Sequence, residues 1–327
     1  MERNNEGLRE AIRRAGIDAG ADLVGFADSS RFPNGELQKI LPTAKSVIGV
    51  LFRVLRGSYR GIEEGTTYYQ YTTTGVETIE ETLIPGALLR IAAAVEDGGY
   101  LAVPQKKNQM LRADPDEAHP EMIHQTFYPA GAREPELDFR AAAVACGFGE
   151  IGRSGALLTD DFGPFQRVAF LVTDAGLEPD PIVSPHLCDG CGACVAACPG
   201  HAIGENGVDG WQCAAYYRGA NRKTNPYMPP DALEGIPERE KIMDGRADLS
   251  KEEALRVMEE LTFYPPVKHG YVASICGRAC DRDCYAHLEE KGALKRSFVH
   301  KLRIRPAWEL PLEGDGSDPT PWDEGKK

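Results

Sequence analysis

The chain has 327 residues, of which 42% are hydrophobic and 27% charged, and its formal net charge is −13 at pH 7. This length suits about two domains, and no window reaches the run of about twenty apolar residues that a membrane span needs. The acidic balance argues against nucleic acid as a partner, because phosphate binding depends on clustered Lys and Arg. Two aspartates follow Arg13 and Arg14 where a twin-arginine leader would be apolar, so we expect a cytoplasmic protein without membrane contact.

The N-terminal part alternates between patterns typical of helices and of strands. Helices are predicted at 6–20, 77–100 and 137–149, and strands at 46–55, 101–104 and 167–174. Residues 105–136 are rich in proline and lack periodic apolar positions, which predicts a long loop of a kind that is often functional. The proline-rich stretch at 174–185 predicts a linker, and we place the first domain at residues 1–178.

Cysteine usage is the strongest signal in the chain. Eight of the nine cysteines lie between Cys188 and Cys284, and four of these fall within eleven residues, which indicates metal ligands rather than disulfides. Residues 188–199 read CDGCGACVAACP. This C-x-x-C-x-x-C-x-x-x-C-P spacing is typical of ferredoxins with two [4Fe-4S] clusters, where the fourth thiolate ligates the other cluster. Zinc is the alternative, but it favours ligands in two separated pairs.

The motif requires four further cysteines, and the chain supplies four. We predict that Cys284 completes the first cluster and that two [4Fe-4S] clusters are bound by two sets of thiolates: Cys188, Cys191, Cys194 and Cys284, and Cys198, Cys213, Cys276 and Cys280. The alternative is that the cysteines at 276–284 are packed on one helix face without a ligand role. The ninth, Cys146, is predicted to be a small buried hydrophobe.

These ligands predict a ferredoxin-like domain at residues 179–303, with an insert at about 215–270 that contains a helix at 250–261. A poorly ordered tail is expected at 304–327, which is rich in Pro, Gly and acidic residues.

Gly147, Gly149 and Gly152 spell G-x-G-x-x-G, the fingerprint of dinucleotide-binding folds. That fingerprint needs a strand before it and a helix after it, whereas here the predicted helix precedes the glycines. NAD binding is therefore disfavoured, but the glycines still predict a close approach of the backbone to another group.

The stretch ACGFGEIGRSGALLTDDFGPFQRVAFLVTDAGLEPDPI (145–182), with the cluster motif and WQCAAYY (211–217) after it, resembles the superfamily of cobalamin-dependent reductive dehalogenases and epoxyqueuosine reductases. GEIGR (149–153) is closer to the dehalogenase form, and LLRIAAAVEDGGYLAVP (88–104) fits an element that both branches share. The resemblance covers residues 80–215 well and the ends only in outline.

The resemblance implies an α/β (α+β) corrinoid-binding domain followed by a bacterial ferredoxin-like domain with two [4Fe-4S] clusters. The clusters would pass electrons to a base-off cobalamin, which would reduce a small organic substrate. Six residues match positions that would line the corrinoid: Gly147, Phe148, Gly149, Gly152, Arg153 and Ser154.

The chain also departs from both branches. The D-S-A-P element that carries the general acid of the epoxyqueuosine reductases is missing, and so is their C-terminal tRNA-binding extension. Respiratory dehalogenases are longer and exported. We therefore expect a cytosolic branch with another substrate, and the alternative is an electron-transfer protein that reduces the corrinoid of a partner.

Reductive cleavage needs a proton donor. Tyr128, with Arg133 five residues further on, is the first candidate, and Tyr69 is the second. His119 and His124 in the same loop are alternatives, because imidazole titrates near neutrality.

The segment 291–305 carries six Lys and Arg residues and no acidic ones in an otherwise acidic chain. It predicts either a solvated basic helix face or a docking face for reduced ferredoxin or flavodoxin as the electron donor.

Overall fold

The computed structural model describes residues 5–105, 135, 137–205, 207–261 and 274–309. Its helices are α1 (Asn5–Asp18), α2 (Glu36–Ile40), α3 (Arg56–Glu63), α4 (Tyr68–Gln70), α5 (Ile84–Asp97), α6 (Phe139–Ala145), α7 (Ala193–Ala196), α8 (Gly210–Tyr217), α9 (Arg239–Met243), α10 (Lys251–Glu260) and α11 (Ala279–Glu290). Its strands are β1 (Leu23–Asp28), β2 (Ser46–Arg53), β3 (Ala102–Gln105), β4 (Glu150–Ile151), β5 (Leu157–Leu158), β6 (Gln166–Thr173), β7 (Ile203–Gly204) and β8 (Gly207–Val208). In this part of the chain, no helix has the length and apolarity that a membrane crossing requires.

A four-stranded sheet forms the centre of the N-terminal half, in the order β1-β2-β6-β3. All three of its strand pairings are antiparallel. The sheet thus has the α+β form of the predicted mixed fold. β4 pairs with β5 and β7 with β8 in two short hairpins.

Both faces of the central strand β2 are buried, which confirms the strand predicted from its apolar run. Side chains alternate along a strand, so neighbouring residues enter different cores. Ile48 and Val50 pack in the core that also contains Ile12 of α1 and Ile91 of α5. Val47 packs in the opposite core, together with the alanines of α6. The sheet is therefore a middle layer between helices.

Phe148 seats the turn after α6 on the sheet. Gly25 of β1 lies opposite Gly49 of β2, and the Phe148 ring covers both. A Cβ atom at Gly25 would lie 2.9 Å from this ring, and one at Gly49 would lie 2.8 Å from it. The two glycines thus form a depression that accepts the ring, and this contact fixes where residues 149–154 begin.

The cysteine-bearing half contains α7 to α11. α8 and α10 pack around Trp211, Ala215 and Met258. The α10 helix confirms the predicted one and begins with a capping box, in which Ser250 and Glu253 each bind the other's backbone N–H.

The basic segment is not a helix, which corrects one of our two expectations for it. α11 ends at Glu290, and Gly292 follows with a left-handed φ of 65°. Such a glycine ends helices because a side chain there is strained. Its cations also have acidic partners, since Lys295 bonds Asp160 at 2.8 Å.

The chain then returns along α3. Arg303 binds Glu63 at 2.6 Å and Asp283 at 2.8 Å. The Trp308 backbone N–H donates to the Glu63 carbonyl at 2.9 Å, so residues from the start of the predicted tail contact the N-terminal half.

Candidate metal centre

Three cysteines of one loop meet a fourth from α11. Cys188, Cys191, Cys194 and Cys284 line one cleft, which we call the first set. Burial raises the pKa of the Cys284 thiol, and the charge of Asp281 and the other three thiolates of the set add to this. The four sulfur atoms are thus near enough to influence one another.

The loop of the first set leaves space around its cysteines. Gly190 and Gly192 have left-handed φ values of 74° and 80°, and a Cβ at either position would meet no atom within 4 Å. Cys188 and Cys191 are exposed, whereas Cys194 is only 8% exposed. The cleft therefore opens to solvent on the side of Cys188 and Cys191.

The second set consists of Cys198, Cys213, Cys276 and Cys280. Burial raises the pKa of Cys213 to about 12, and the neighbouring Cys276 and Cys198 contribute. Burial is also the main cause that raises the pKa of Cys280. The charge of Asp281 raises this pKa further, whereas Arg278 lowers it. Cys198 and Cys276 are each 9% exposed, so the second set is more enclosed than the first.

α11 connects the two sets, because it carries Cys280 of the second and Cys284 of the first. A spacing of four residues places these side chains one above the other on one helix face. The structure thus places the predicted members of each set near one another, and their role as the ligands of two clusters stays a prediction. All the described cysteines are free thiols, and Cys146 lies buried in the N-terminal core.

Another combination of ligand atoms occurs at the first set. Atoms of Asp189, Cys191 and His287 lie within 4.8 Å of one another. The Asp189 carboxylate is already engaged, because it pairs with His287 at 3.0 Å and with Lys291 at 2.5 Å. This group shares Cys191 with the first set, so it competes with a four-thiolate site and does not add to it.

Glu150 of β4 holds the start of the cysteine loop. Its carboxylate accepts backbone N–H groups from Leu187 at 3.0 Å, from Cys188 at 2.8 Å and from His186. Burial opposes ionisation here, but these hydrogen bonds outweigh it and lower the pKa of Glu150. The Arg153 backbone N–H donates to the Cys188 sulfur at 3.4 Å.

An aromatic stack attaches α11 to the N-terminal half. The ring of Tyr285 stacks on Phe165 at 4.2 Å, and Phe165 stacks on Tyr59 of α3 at 3.8 Å. Beside it, Arg282 of α11 binds the buried Glu63 of α3. Since α11 carries a ligand candidate of each set, these contacts fix both sets relative to the sheet.

The six residues expected to line a corrinoid divide into two groups of three. Protein atoms close off the first three: Phe148 fills the depression on the sheet, and Cβ atoms at Gly147 and Gly149 would lie 2.5 Å and 1.9 Å from the carbonyl oxygens of Pro181 and Leu158. The other three line the cleft of the first set: Gly152, Arg153 and Ser154.

Of the candidate proton donors, Tyr69 lies within the described residues. Tyr128 and Arg133, like His119 and His124, lie outside the described residues. Tyr69 belongs to α4 and is 56% exposed.

Sequence reasoning missed Glu150 and Glu63. The acidic residue inside GEIGR was one available signal for Glu150, but its hydrogen-bond partners lie 36 to 38 residues further along the chain. Glu63 had no signal, because its partners Arg282 and Arg303 are more than 200 residues away.

Comparison with known proteins agrees with these features. Residues 181–204 match the 4Fe-4S binding domain family. The chain is 26% identical over 234 residues to epoxyqueuosine reductase from Synechocystis sp., a match that covers 71% of each protein. It is 44% identical over 64 residues to tetrachloroethene reductive dehalogenase from Desulfitobacterium hafniense, which covers 19% of this chain and 12% of that protein.

A crystal structure of epoxyqueuosine reductase with a tRNA stem loop matches with a TM-score of 0.46 and 16% identity, over 89% of this chain and 84% of that one. Our argument from net charge against nucleic acid as a partner is therefore wrong. A related reductase is named with tRNA, and the net charge of a whole chain does not describe one local surface.

These relatives are reductases by name, and a 4Fe-4S domain coincides with the first cysteine motif. The chain is thus similar to the epoxyqueuosine reductases and to the reductive dehalogenases, both of which are oxidoreductases.

Proposed function

We propose that the protein is a reductase with two [4Fe-4S] clusters that pass electrons to a base-off corrinoid for the reduction of a small organic substrate. The observation that carries the two-cluster part is the grouping of eight free thiols into two sets of four. Four thiolates are the ligand set of a [4Fe-4S] cluster, and an interchange of one cysteine between two motifs is typical of two-cluster ferredoxins. Zinc sites also use four thiolates, but zinc favours ligands in two separated pairs and not four cysteines within eleven residues.

The different exposure of the sets supports a direction for the electrons. The first set reaches solvent at Cys188 and Cys191, where a donor protein is able to approach. The second set is enclosed, and α11, which carries its Cys280, is joined to Tyr59 of the N-terminal half through the stacked rings of Tyr285 and Phe165. In our proposal electrons arrive at the first set and leave from the second toward the N-terminal half.

The corrinoid enters this proposal through the resemblance to the superfamily. Phe148 and Gly149 do not fit as its lining, because both are buried, and a Cβ atom at Gly147 would meet the carbonyl oxygen of Pro181. A corrinoid would supply a cobalt centre that accepts one electron at a time from the clusters. Its binding would have to use other residues of the N-terminal half.

Tyr128 with Arg133, and Tyr69 as the second candidate, remain our proposals for the proton donor. We expect Tyr128→Phe to slow turnover about 100-fold or more while both clusters stay in place, because only the hydroxyl is removed. Tyr69→Phe tests the second candidate in the same assay, and slower turnover in that variant alone would assign the proton donor to the half-exposed Tyr69. An unchanged rate in Tyr128→Phe would remove it from the mechanism.

The decisive experiment uses anaerobically purified protein whose clusters have been reduced with dithionite and freed from excess reductant. Organohalides and epoxides are added with and without cobalamin, and cluster reoxidation is followed by absorbance and EPR. We expect rapid reoxidation only when cobalamin and a reducible compound are both present. If no such compound reoxidises the clusters but a separate corrinoid protein does, the chain is an electron-transfer protein.

A further inference from the structure

We propose that residues 149–154, the segment GEIGRS, form the platform that holds the first set in place, with Glu150 as its positioning residue. The proposal deepens the proposed function, because it assumes only that the first set takes a [4Fe-4S] cluster. It gives these residues a role toward iron and sulfur instead of a corrinoid.

The first argument is the carboxylate of Glu150. Its side chain is only 5% exposed, and it accepts hydrogen bonds from three consecutive backbone N–H groups, those of His186, Leu187 and Cys188. Three adjacent donors that converge on one anion leave the backbone little freedom. The backbone of residues 186–188 is thus held in place up to the residue that carries the Cys188 sulfur.

The second argument is the backbone after Glu150. The Arg153 N–H points at the Cys188 sulfur at 3.4 Å, and the Arg153 guanidinium contacts the carbonyl of Gly204 at 3.4 Å, beyond the cysteine loop. Hydrogen bonds to cluster sulfurs and the charge nearby are main determinants of cluster potential. The segment therefore contacts the loop on both sides of the first motif.

The third argument is the rigidity of the platform itself. Glu150 pairs with Leu158 in the β4–β5 hairpin. Gly149 lies so close to the Leu158 carbonyl that any side chain at this position would displace the hairpin, because its Cβ would be 1.9 Å from that oxygen. Directly before Gly149, Phe148 is fixed on the sheet. The sheet thus fixes one short, tightly packed segment, and this segment in turn fixes the position of Cys188.

The test compares Glu150→Gln, Glu150→Ala and the control Asp180→Asn in anaerobically reconstituted protein. Asp180 also accepts a backbone N–H, that of Phe26, and pairs with arginines, but it contacts neither set. Iron and sulfide content, the reduction potentials of both clusters by EPR titration, and amide hydrogen exchange of residues 186–188 are measured. Activity is not needed.

We expect the iron content of Glu150→Ala to fall from about eight to about four atoms per chain, with loss of one EPR signal. Glu150→Gln should retain most of the iron but raise the potential of one cluster, because a fixed negative charge is removed beside one ligand. In both variants amide exchange at 186–188 should accelerate at least about tenfold, because each loses hydrogen bonds to these N–H groups.

If Glu150→Ala does not fold, the results for Glu150→Gln alone decide whether Glu150 holds the cysteine loop. Wild-type iron content, potentials and exchange in the Gln variant would overturn the platform. So would equal changes in Asp180→Asn, because they would show a general effect of lost carboxylates. A wild-type protein that takes up no iron would instead refute the proposed function, and the two failures are therefore distinguishable.

Discussion

The two cysteine sets have the same donor atoms but different surroundings. The first is built mainly from one loop and exposes Cys188 and Cys191 to solvent. The second takes its cysteines from three separate segments and is enclosed, with Cys198 and Cys276 each 9% exposed. A solvent-exposed site suits exchange with a partner, and an enclosed site suits transfer inside the molecule. The comparison teaches that the sequence motif predicts the ligands, whereas the packing around them determines how far each proposed site is open to solvent.

The largest effect is expected when one set loses a ligand. Cys194→Ala should remove the first cluster and Cys198→Ala the second, each leaving about four irons per chain. Iron analysis and EPR would show the loss of different signals in the two variants. Cys146→Ala is the control, because this buried thiol belongs to neither set. Loss of the same signal in both variants, or zinc in place of iron, would contradict the division into two sets.

The next largest effect concerns the anchoring of α11, which both sets share. Glu63→Ala should cost about 3–5 kcal/mol of stability, since it leaves Arg282 and Arg303 without their buried carboxylate. The free energy of unfolding in urea measures this, and iron should decrease from both sets together. The neighbouring Glu64→Ala should cost only about 0–1 kcal/mol, because its pairs lie nearer the surface. Equal effects would mean that the Glu63 network does not hold α11.

A smaller effect, limited to the first set, is expected for Gly149→Leu. The new side chain would collide with the Leu158 carbonyl, and overpacking of this kind typically costs about 1–3 kcal/mol. Gly57→Ala in α3 is the control, because a Cβ there meets nothing within 4 Å. Calorimetry and iron analysis should show a lower melting temperature and loss of first-set iron. If iron stays complete and only cobalamin binding is lost, Gly149 lines a corrinoid as its sequence match implies.

The smallest effect is expected for the surface charges of the basic segment 291–305, which contains no cysteine of either set. Reversal of Lys295 and Arg296 to Glu breaks surface pairs with Asp160 and Asp161, which is worth about 0–1 kcal/mol. Reduction by an acidic donor such as ferredoxin should slow several-fold at low salt, while reduction by dithionite stays constant. Stopped-flow kinetics at two salt concentrations measures this. Unchanged kinetics with the protein donor would exclude this segment as its docking face.

Local patterns were sufficient for part of this architecture. The spacing of the first four cysteines and the count of the remaining four led to the two groups that the structure brings together. The apolar run of β2 and the helical period of α10 identified those elements. Each of these signals lies within a short stretch of sequence, where backbone geometry directly links pattern and structure.

Contacts between distant segments could not be predicted in this way. β6 pairs with β2 across more than 110 residues of chain, so the order of the sheet depends on packing and not on local propensity. The basic segment was interpreted from its charge pattern alone. Asp160, the partner of its Lys295, lies far earlier in the sequence. Gly147 and Gly149 correctly predicted a close approach of the backbone to another group, but the approaching atoms belong to the protein itself.

The distribution of ligand candidates along the chain has a consequence for biosynthesis. A ribosome that has translated as far as Cys213 has made five of the eight cysteines, and neither set is complete. The first set waits for Cys284, and the second waits for Cys276 and Cys280, all of which belong to the segment that leads into and forms α11. If the two sets bind clusters as we propose, cluster insertion must follow synthesis of the chain as far as Cys284, and until then the exposed cysteines of the loop need protection from oxygen and from stray metal ions.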